Sequence, residues 1–255
     1  MQPERFVTCG LVLRETVTRH ADKILTVLTL DRGRLSVIAR GARRKGSRVA
    51  AACQLLAYSE MTLYERGRWT MLDAADTIEL FDGLRQDLTA LSLAAYFAEL
   101  TEAVSDGSGG DVLPLLLNAL YALSALKKPP QLVKPAFQFR LMALAGYEPM
   151  ADGCALCGAP QPENPMLDVV HGVVHCGKCR EKGGLSLPLT ASGLAALRYV
   201  LYGDPRRLYS FSLPPEGLRA LNHAADAYVS AQLERSFRTL DYYKTILPQE
   251  ETKYE

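Results

Sequence analysis

Four cysteines in the third quarter of the 255-residue chain have the residue type and spacing to hold a metal ion. Cys154 and Cys157 form one C-x-x-C pair, and Cys176 and Cys179 form a second after 18 intervening residues. Each C-x-x-C turn aims two thiolates at one point, and two such turns supply the tetrahedral set that Zn²⁺ takes. Glycine stands where each turn folds back under the metal, in Cys157-Gly158 and in Cys176-Gly177-Lys178-Cys179. Disulfides are the weaker rival, because nothing in the chain reads as secreted. His171 and His175 lie inside the loop and are the available substitute ligands, although four sulfurs already close the shell. A closed shell leaves no open position for water or substrate. The expected Zn²⁺, one per chain, is therefore structural and braces a small lobe.

A second chemistry is written in charge. Arg32, Arg34, Arg40, Arg43, Arg44, Lys45 and Arg48 fall within 17 residues that contain no Asp or Glu. Such a run repels itself unless it faces a polyanion, and nucleic-acid phosphates, met with release of counterions, are the natural partner. The plainer alternative is a solvated surface loop. Lys178, Arg180 and Lys182, beside the second cysteine pair, are candidates to extend the basic surface. Trp69, Tyr58 and Tyr64 are candidates to stack on bases, with core packing as the competing role. Gly41-x₄-Gly46-Ser47 imitates a phosphate-binding loop but lacks the lysine that reaches the outer phosphates, which argues against nucleotide hydrolysis. No G-x-S-x-G, H-E-x-x-H or carboxylate cluster suggests a hydrolase or a metal-dependent nuclease, and the expectation is a protein that is not an enzyme.

Charge is also divided along the chain. Residues 1–80 carry 13 Lys/Arg against 9 Asp/Glu, while the remainder carries 16 against 19. The total of +1 hides this local basic excess. With 48% hydrophobic and 22% charged residues, the composition is that of an ordinary globular chain long enough for two cores. The mixed-charge start Met1-Gln2-Pro3-Glu4-Arg5 is no signal peptide, and the most apolar stretches, Leu91–Leu100 and Val112–Leu126, are too short to cross a bilayer. No membrane role and a cytoplasmic location are expected. Cys9 and Cys53 sit singly in apolar surroundings and read as buried core thiols.

The elements that must position these groups follow from periodicity. Phe6–Leu13, Lys23–Leu30, Leu35–Ala39, Leu55–Tyr64 and Trp69–Leu80 read as strands, with turns at Asp31–Arg34 and Glu65–Arg68. Five short strands without a long helix between them predict a small barrel of the OB type, and an SH3-like barrel fits nearly as well. Helical patterning follows over Phe81–Val104, Val112–Leu126 and Gln131–Ala145, broken at Asp106–Gly110 and at Lys127-Lys128-Pro129-Pro130. Pro135 suits the first turn of the third helix, which places its regular start near Val133. Within the cysteine lobe, Met166–Val174 reads as a two-stranded ribbon turning at His171-Gly172. Ala191–Leu201 and Pro214–Phe237 are again helical, and the polar tail Asp241–Glu255 is expected to fray.

Taken together, these residues resemble the RecO family of bacterial recombination mediators. The likeness runs through Val12-Leu13-Arg14-Glu15-Thr16, the strand Ile24–Leu30, and Gly33-Arg34-Leu35-Ser36 leading to Ala39-Arg40-Gly41-Ala42-Arg43. It continues in the helix Phe137–Leu144 with Gly146-Tyr147-Glu148-Pro149, and then Cys154-x-x-Cys157-Gly158. It covers the chain as far as Cys179 and is nearest to the Deinococcus-type members, which keep four zinc-binding cysteines. The last 60 residues match only in helical character.

The resemblance implies an α+β multidomain chain. An N-terminal OB-fold β-barrel over residues 1–80 would bind nucleic acid, and a C-terminal α-helical domain over 81–255 would carry a zinc-ribbon-like four-cysteine lobe inserted at 150–184. It further implies DNA repair and recombination without ATP at the cytoplasmic nucleoid. The activities implied are binding of single- and double-stranded DNA, annealing of complementary strands, association with RecR and with single-stranded-DNA-binding protein (SSB), and, indirectly, loading of RecA. An alternative keeps the zinc lobe but makes the helical domain a docking scaffold for SSB or RecR, with DNA binding secondary. Helix faces ending in lysine, Leu123–Lys128 or Val133-Lys134, would then receive an acidic-hydrophobic peptide.

Overall fold

The computed structural model describes residues 4–18, 20–105, 110–179 and 184–247. The chain divides into two compact units, Met1–Leu113 with Phe237–Glu255, and Pro114–Ser236.

In the first unit, alternating apolar residues build five strands: β1 (Arg5–Val17), β2 (Lys23–Thr29), β3 (Gly33–Ala39), β4 (Tyr58–Arg66) and β5 (Trp69–Glu79). They close into a barrel in the order β1-β2-β3-β5-β4, with β4 pairing back onto β1. β3 and β5 run parallel, and the other neighbours are antiparallel. This circuit is the five-stranded OB-type barrel and decides between the two barrels that strand pattern alone allows. Side chains alternate across each strand, so Val12, Leu25, Val27, Val37, Ala39, Met61, Leu63 and Leu72 fill the interior. Gly10 lets β1 and β2 approach closely, since a Cβ there would lie 2.5 Å from Val27 Cγ1. Cys53 joins the barrel core as expected, whereas Cys9 is only half-buried.

A short helix α1 (Asp82–Arg85) leads into α2 (Leu88–Val104), which packs against β1. Asp87 caps α2 by accepting from the backbone N–H of Thr89 (2.8 Å) and Ala90 (3.2 Å). The polar tail departs from expectation. Its first part is α7 (Arg238–Ile246), which lies along α2 with Phe237, Leu240 and Tyr243 buried. Apolar residues spaced three apart make one narrow stripe, which the polar average of the segment conceals. Residues 248–255 lie outside the described residues, as do 106–109 of the expected break.

The second unit contains α3 (Val112–Ser124), most of which belongs to it, α4 (Pro130–Leu144), α5 (Ala191–Tyr202) and α6 (Pro215–Leu233). α4 packs against α5 and α6. It starts earlier than expected, with Pro130 at its first position, and Pro135 is accommodated within the helix. β6 (Met166–Asp168) and β7 (Val173–His175) form the expected ribbon, and β8 (Ser186–Pro188) adds a third strand in the order β7-β6-β8. Among the described residues no helix is long and apolar enough to cross a membrane.

Candidate metal centre and nucleic-acid interface

The first cysteine turn is made by backbone bonds. Gly158 N–H donates to the Cys154 carbonyl at 2.8 Å, and Cys154 N–H donates to the Ala159 carbonyl at 2.8 Å. Gly158 takes φ +73°, which only glycine adopts without strain. The second turn is closed by Cys179 N–H on the Cys176 carbonyl at 3.0 Å and is tied to the segment before β6 by Gly177 N–H on the Glu163 carbonyl at 3.0 Å. Ala155 N–H bonds the Val174 carbonyl at 2.9 Å, joining the first turn to β7. The four sulfurs then lie within 4.8 Å of one another, with Cys157 and Cys176 3.9 Å apart, and none is in a disulfide.

A tetrahedron with metal–sulfur bonds of about 2.3 Å has edges of about 3.8 Å. The cage matches. Its electrostatics point the same way. Burial opposes ionisation of Cys154, but N–H groups of Cys157, Cys176 and Leu156 directed at its sulfur prevail and hold the thiol at about 6. The bond to Cys157, with burial, pushes Cys179 up to about 12, and burial first of all raises Cys176. One thiolate forms readily, while Cys176 and Cys179 resist ionising beside it. A cation at the centre relieves that repulsion and lets all four ionise. The site is compatible with a structural metal. Both histidines are engaged elsewhere: His175 bonds the Cys176 carbonyl and Ser186 Oγ, each at 2.8 Å, and His171 bonds Asp168 at 2.7 Å.

Sequence reasoning missed Arg198, whose guanidinium donates to the carbonyls of Ala151 (2.7 Å), Asp152 (2.9 Å) and Pro160 (2.8 Å). It thereby clamps both flanks of the first cysteine turn to α5. A lone arginine on an otherwise apolar helix is its only trace in the sequence.

The basic segment after β3 is a succession of turns anchored from below. Ala42, Ala52, Cys53, Leu56 and Ala57 are buried. Asp22 accepts from Gly41 N–H at 2.6 Å, Arg43 N–H donates to the Ala21 carbonyl at 3.0 Å, and Lys23 Nζ donates to the Cys53 carbonyl at 2.9 Å. On this base Arg40, Arg43, Arg44, Lys45 and Arg48 are all exposed. Among the described residues none of the five has an acidic partner within ion-pair distance.

The other two members of the basic set are placed differently. The Arg32 guanidinium lies over the Phe6 ring at 3.8 Å, and Arg34 donates to the Glu102 carbonyl. Trp69 is 46% exposed, whereas Tyr58 and Tyr64 are half-buried. Lys178 is exposed and paired with Glu163 at 3.1 Å, and Arg180 and Lys182 lie outside the described residues. Lys134 corrects one of the two docking faces, Val133-Lys134: it is 4% exposed and forms an ion pair with Asp226, which also accepts from Gln138 at 3.0 Å. Val133 beside it is fully buried. A buried ammonium needs a fixed counter-charge, and Asp226 supplies it.

Comparison with known proteins agrees with this architecture. Residues 1–81 match the family model described as "Recombination protein O N terminal", and residues 85–241 match "Recombination protein O C terminal". The "DNA repair protein RecO" of Acetivibrio thermocellus is 31% identical over 241 residues, covering 94% of this chain and 96% of its own. Those of Heliobacterium modesticaldum (34%, covering 93% and 88%) and Anaeromyxobacter dehalogenans (33%, covering 96% and 98%) are similar over nearly the whole length. With an OB-like barrel, a helical domain bearing four clustered cysteines, and both halves matched, the chain belongs to the RecO family.

Proposed function

We propose that this chain is a DNA repair and recombination mediator that binds single- and double-stranded DNA and anneals complementary strands, making and breaking no covalent bond itself. The observation that carries the reading is the anchored, acid-free row of Arg40, Arg43, Arg44, Lys45 and Arg48. Two strands repel one another through their phosphates, and annealing requires above all that this charge be neutralised. Cations that track a backbone do so without reading sequence. Family membership supports the rest: work with RecR on DNA coated by SSB, loading of RecA through those partners, and a place at the cytoplasmic nucleoid. For the cysteine cage we propose Zn²⁺, which suits four thiolates in a closed tetrahedron and would brace the lobe without activating water.

The test is charge reversal at Arg43, Arg44 and Lys45 to Glu, with DNA affinity and annealing followed across a salt series. Each lost phosphate contact should lower the log–log salt slope by about 0.7 on single strands and about 0.9 on duplex. The triple variant should therefore lose about two units of slope on single strands, with slower annealing. An unchanged affinity and slope would remove the loop from the interface.

A further inference from the structure

The basic residues that read as one run in the sequence stand at two ends of the barrel. β3 runs from Gly33 to Ala39, so Arg34 and Arg40 lie roughly 20 Å apart along it, at about 3.3 Å per residue. The anchored row Arg40–Arg48 occupies the end where β3 finishes. β5 runs parallel to β3, with Val37 opposite Thr70 and Ile38 opposite Met71. The first residue of β5, Trp69, therefore falls level with Ser36, midway along β3 and about 13 Å short of Arg40 at the same rise per residue, and the turn that precedes it reaches on toward the end where β3 begins. There β4 and β5 form a hairpin that turns through Gly67 (φ +62°) and pairs Arg66 with Trp69.

The register also fixes which way these side chains face. Leu63 and Leu72 oppose one another and point into the barrel core. By the alternation of the pleat, the pairs Tyr64–Met71 and Arg66–Trp69 face away from the barrel interior, where Met71 is covered and Trp69 is not. Trp69 is the chain's single tryptophan and is 46% exposed. The Arg68 guanidinium lies 4.9 Å from its ring centroid, and Arg66 faces it across the ladder. Neither arginine has an ion pair among the described residues. An isolated exposed aromatic is ordinary. An outward indole with one guanidinium over its ring and a second arginine as its cross-strand neighbour is a different object. The ring face that Arg68 does not cover can take the face of a nucleobase, while the cationic neighbours favour the adjoining phosphates.

We infer that Trp69, with Arg66 and Arg68, is a second nucleic-acid contact that stacks on an unpaired base and is separate from the phosphate-tracking loop. The inference rests on the proposal that DNA is the ligand, and it adds what that proposal does not assign: a source of preference for single strands. Inside a duplex each base face is already covered by its neighbours, so away from the duplex ends only an unpaired strand can offer one to the indole.

The single tryptophan makes the test direct, because all tryptophan emission comes from this site. The full-length protein is titrated with oligo-dT and with a blunt duplex of equal charge. Emission should be quenched by oligo-dT and little altered by the duplex. Trp69→Ala, followed by anisotropy of labelled DNA, should bind oligo-dT about tenfold more weakly and the duplex as before, and Trp69→Phe should recover part of the loss. The Glu triple variant of the basic loop should weaken both DNAs yet keep the quench at saturating oligo-dT. If oligo-dT binds with emission unchanged, or Trp69→Ala binds oligo-dT as tightly as the parent, the stacking site is overturned while the loop assignment stands. An inert Glu triple variant with the quench intact removes the loop and leaves Trp69. Quenching that comes only with an acidic peptide, and never with DNA, would make the hairpin a protein-docking site and sink the inference.

Discussion

At the scale of single residues, the cysteine lobe also depends on polar groups that are not among the four metal-site sulfurs. Asp168, at the end of β6, has a side chain 1% exposed and accepts from the N–H groups of Val170 (3.0 Å) and His171 (3.2 Å) and from the His171 ring (2.7 Å). Burial favours the neutral acid, but the ring and backbone donors outweigh it and hold the carboxyl below its ordinary value. The folded state therefore binds its proton less readily than the unfolded chain does. The stability this contributes is complete above the unfolded carboxylate value and is lost as pH falls below about 4. Asp168→Asn should cost about 1–3 kcal/mol at neutral pH, because an amide cannot replace the charge that meets three donors. It should also flatten the acid limb of the stability curve. Urea unfolding between pH 3 and pH 7, followed by a probe in the second unit, checks both. An equally steep acid limb in the variant would show that other carboxylates supply it.

At the scale of elements, α7 is the part of the first unit that sequence reading placed least well. Phe237 is 2% exposed and meets the Tyr96 ring edge-on at 5.7 Å, while the Glu99 carboxylate on α2 accepts from Thr239 N–H at 3.1 Å. Phe237→Ala should cost about 3–5 kcal/mol of first-unit stability. Guanidinium unfolding, with Trp69 emission reporting this unit alone, should show an earlier midpoint. No shift would mean that α7 is peripheral to the fold. The contrast with the strands is instructive. β2 and β3 were legible because a half-buried sheet writes its period of two directly into residues such as Lys23–Leu30. α7 spans nine residues and has only Leu240 and Tyr243 buried within it, too short a stripe to rise above its polar composition. β8, three residues long, was invisible for the same reason. The cysteine cage was legible because its ligands come in two local pairs. Arg198 and the Lys134–Asp226 pair were not, because each joins positions distant in sequence by a contact that no local pattern announces.

At the scale of the molecule, the two chemistries fall in different compact units. The basic loop and Trp69 lie in Met1–Leu113, and the four cysteines lie in Pro114–Ser236. If the metal braces only its own unit, removing it and loosening the grip on DNA become separable events. The protein should carry one Zn²⁺ per chain by elemental analysis. A strong chelator under reducing conditions should release it, expose four thiols to alkylation and lower the unfolding midpoint of the second unit, since metal binding is coupled to folding. Cys53 should stay unreactive throughout, because its burial in the barrel core pushes the thiol up to about 11. Affinity for oligo-dT, and the quench of Trp69 on saturation, should change by less than about twofold, as for independent sites. A fall in DNA affinity that tracks metal loss step for step would show instead that the thiolate lobe takes part in the grip. The division of labour between a charged barrel and a braced helical unit would then have to be abandoned.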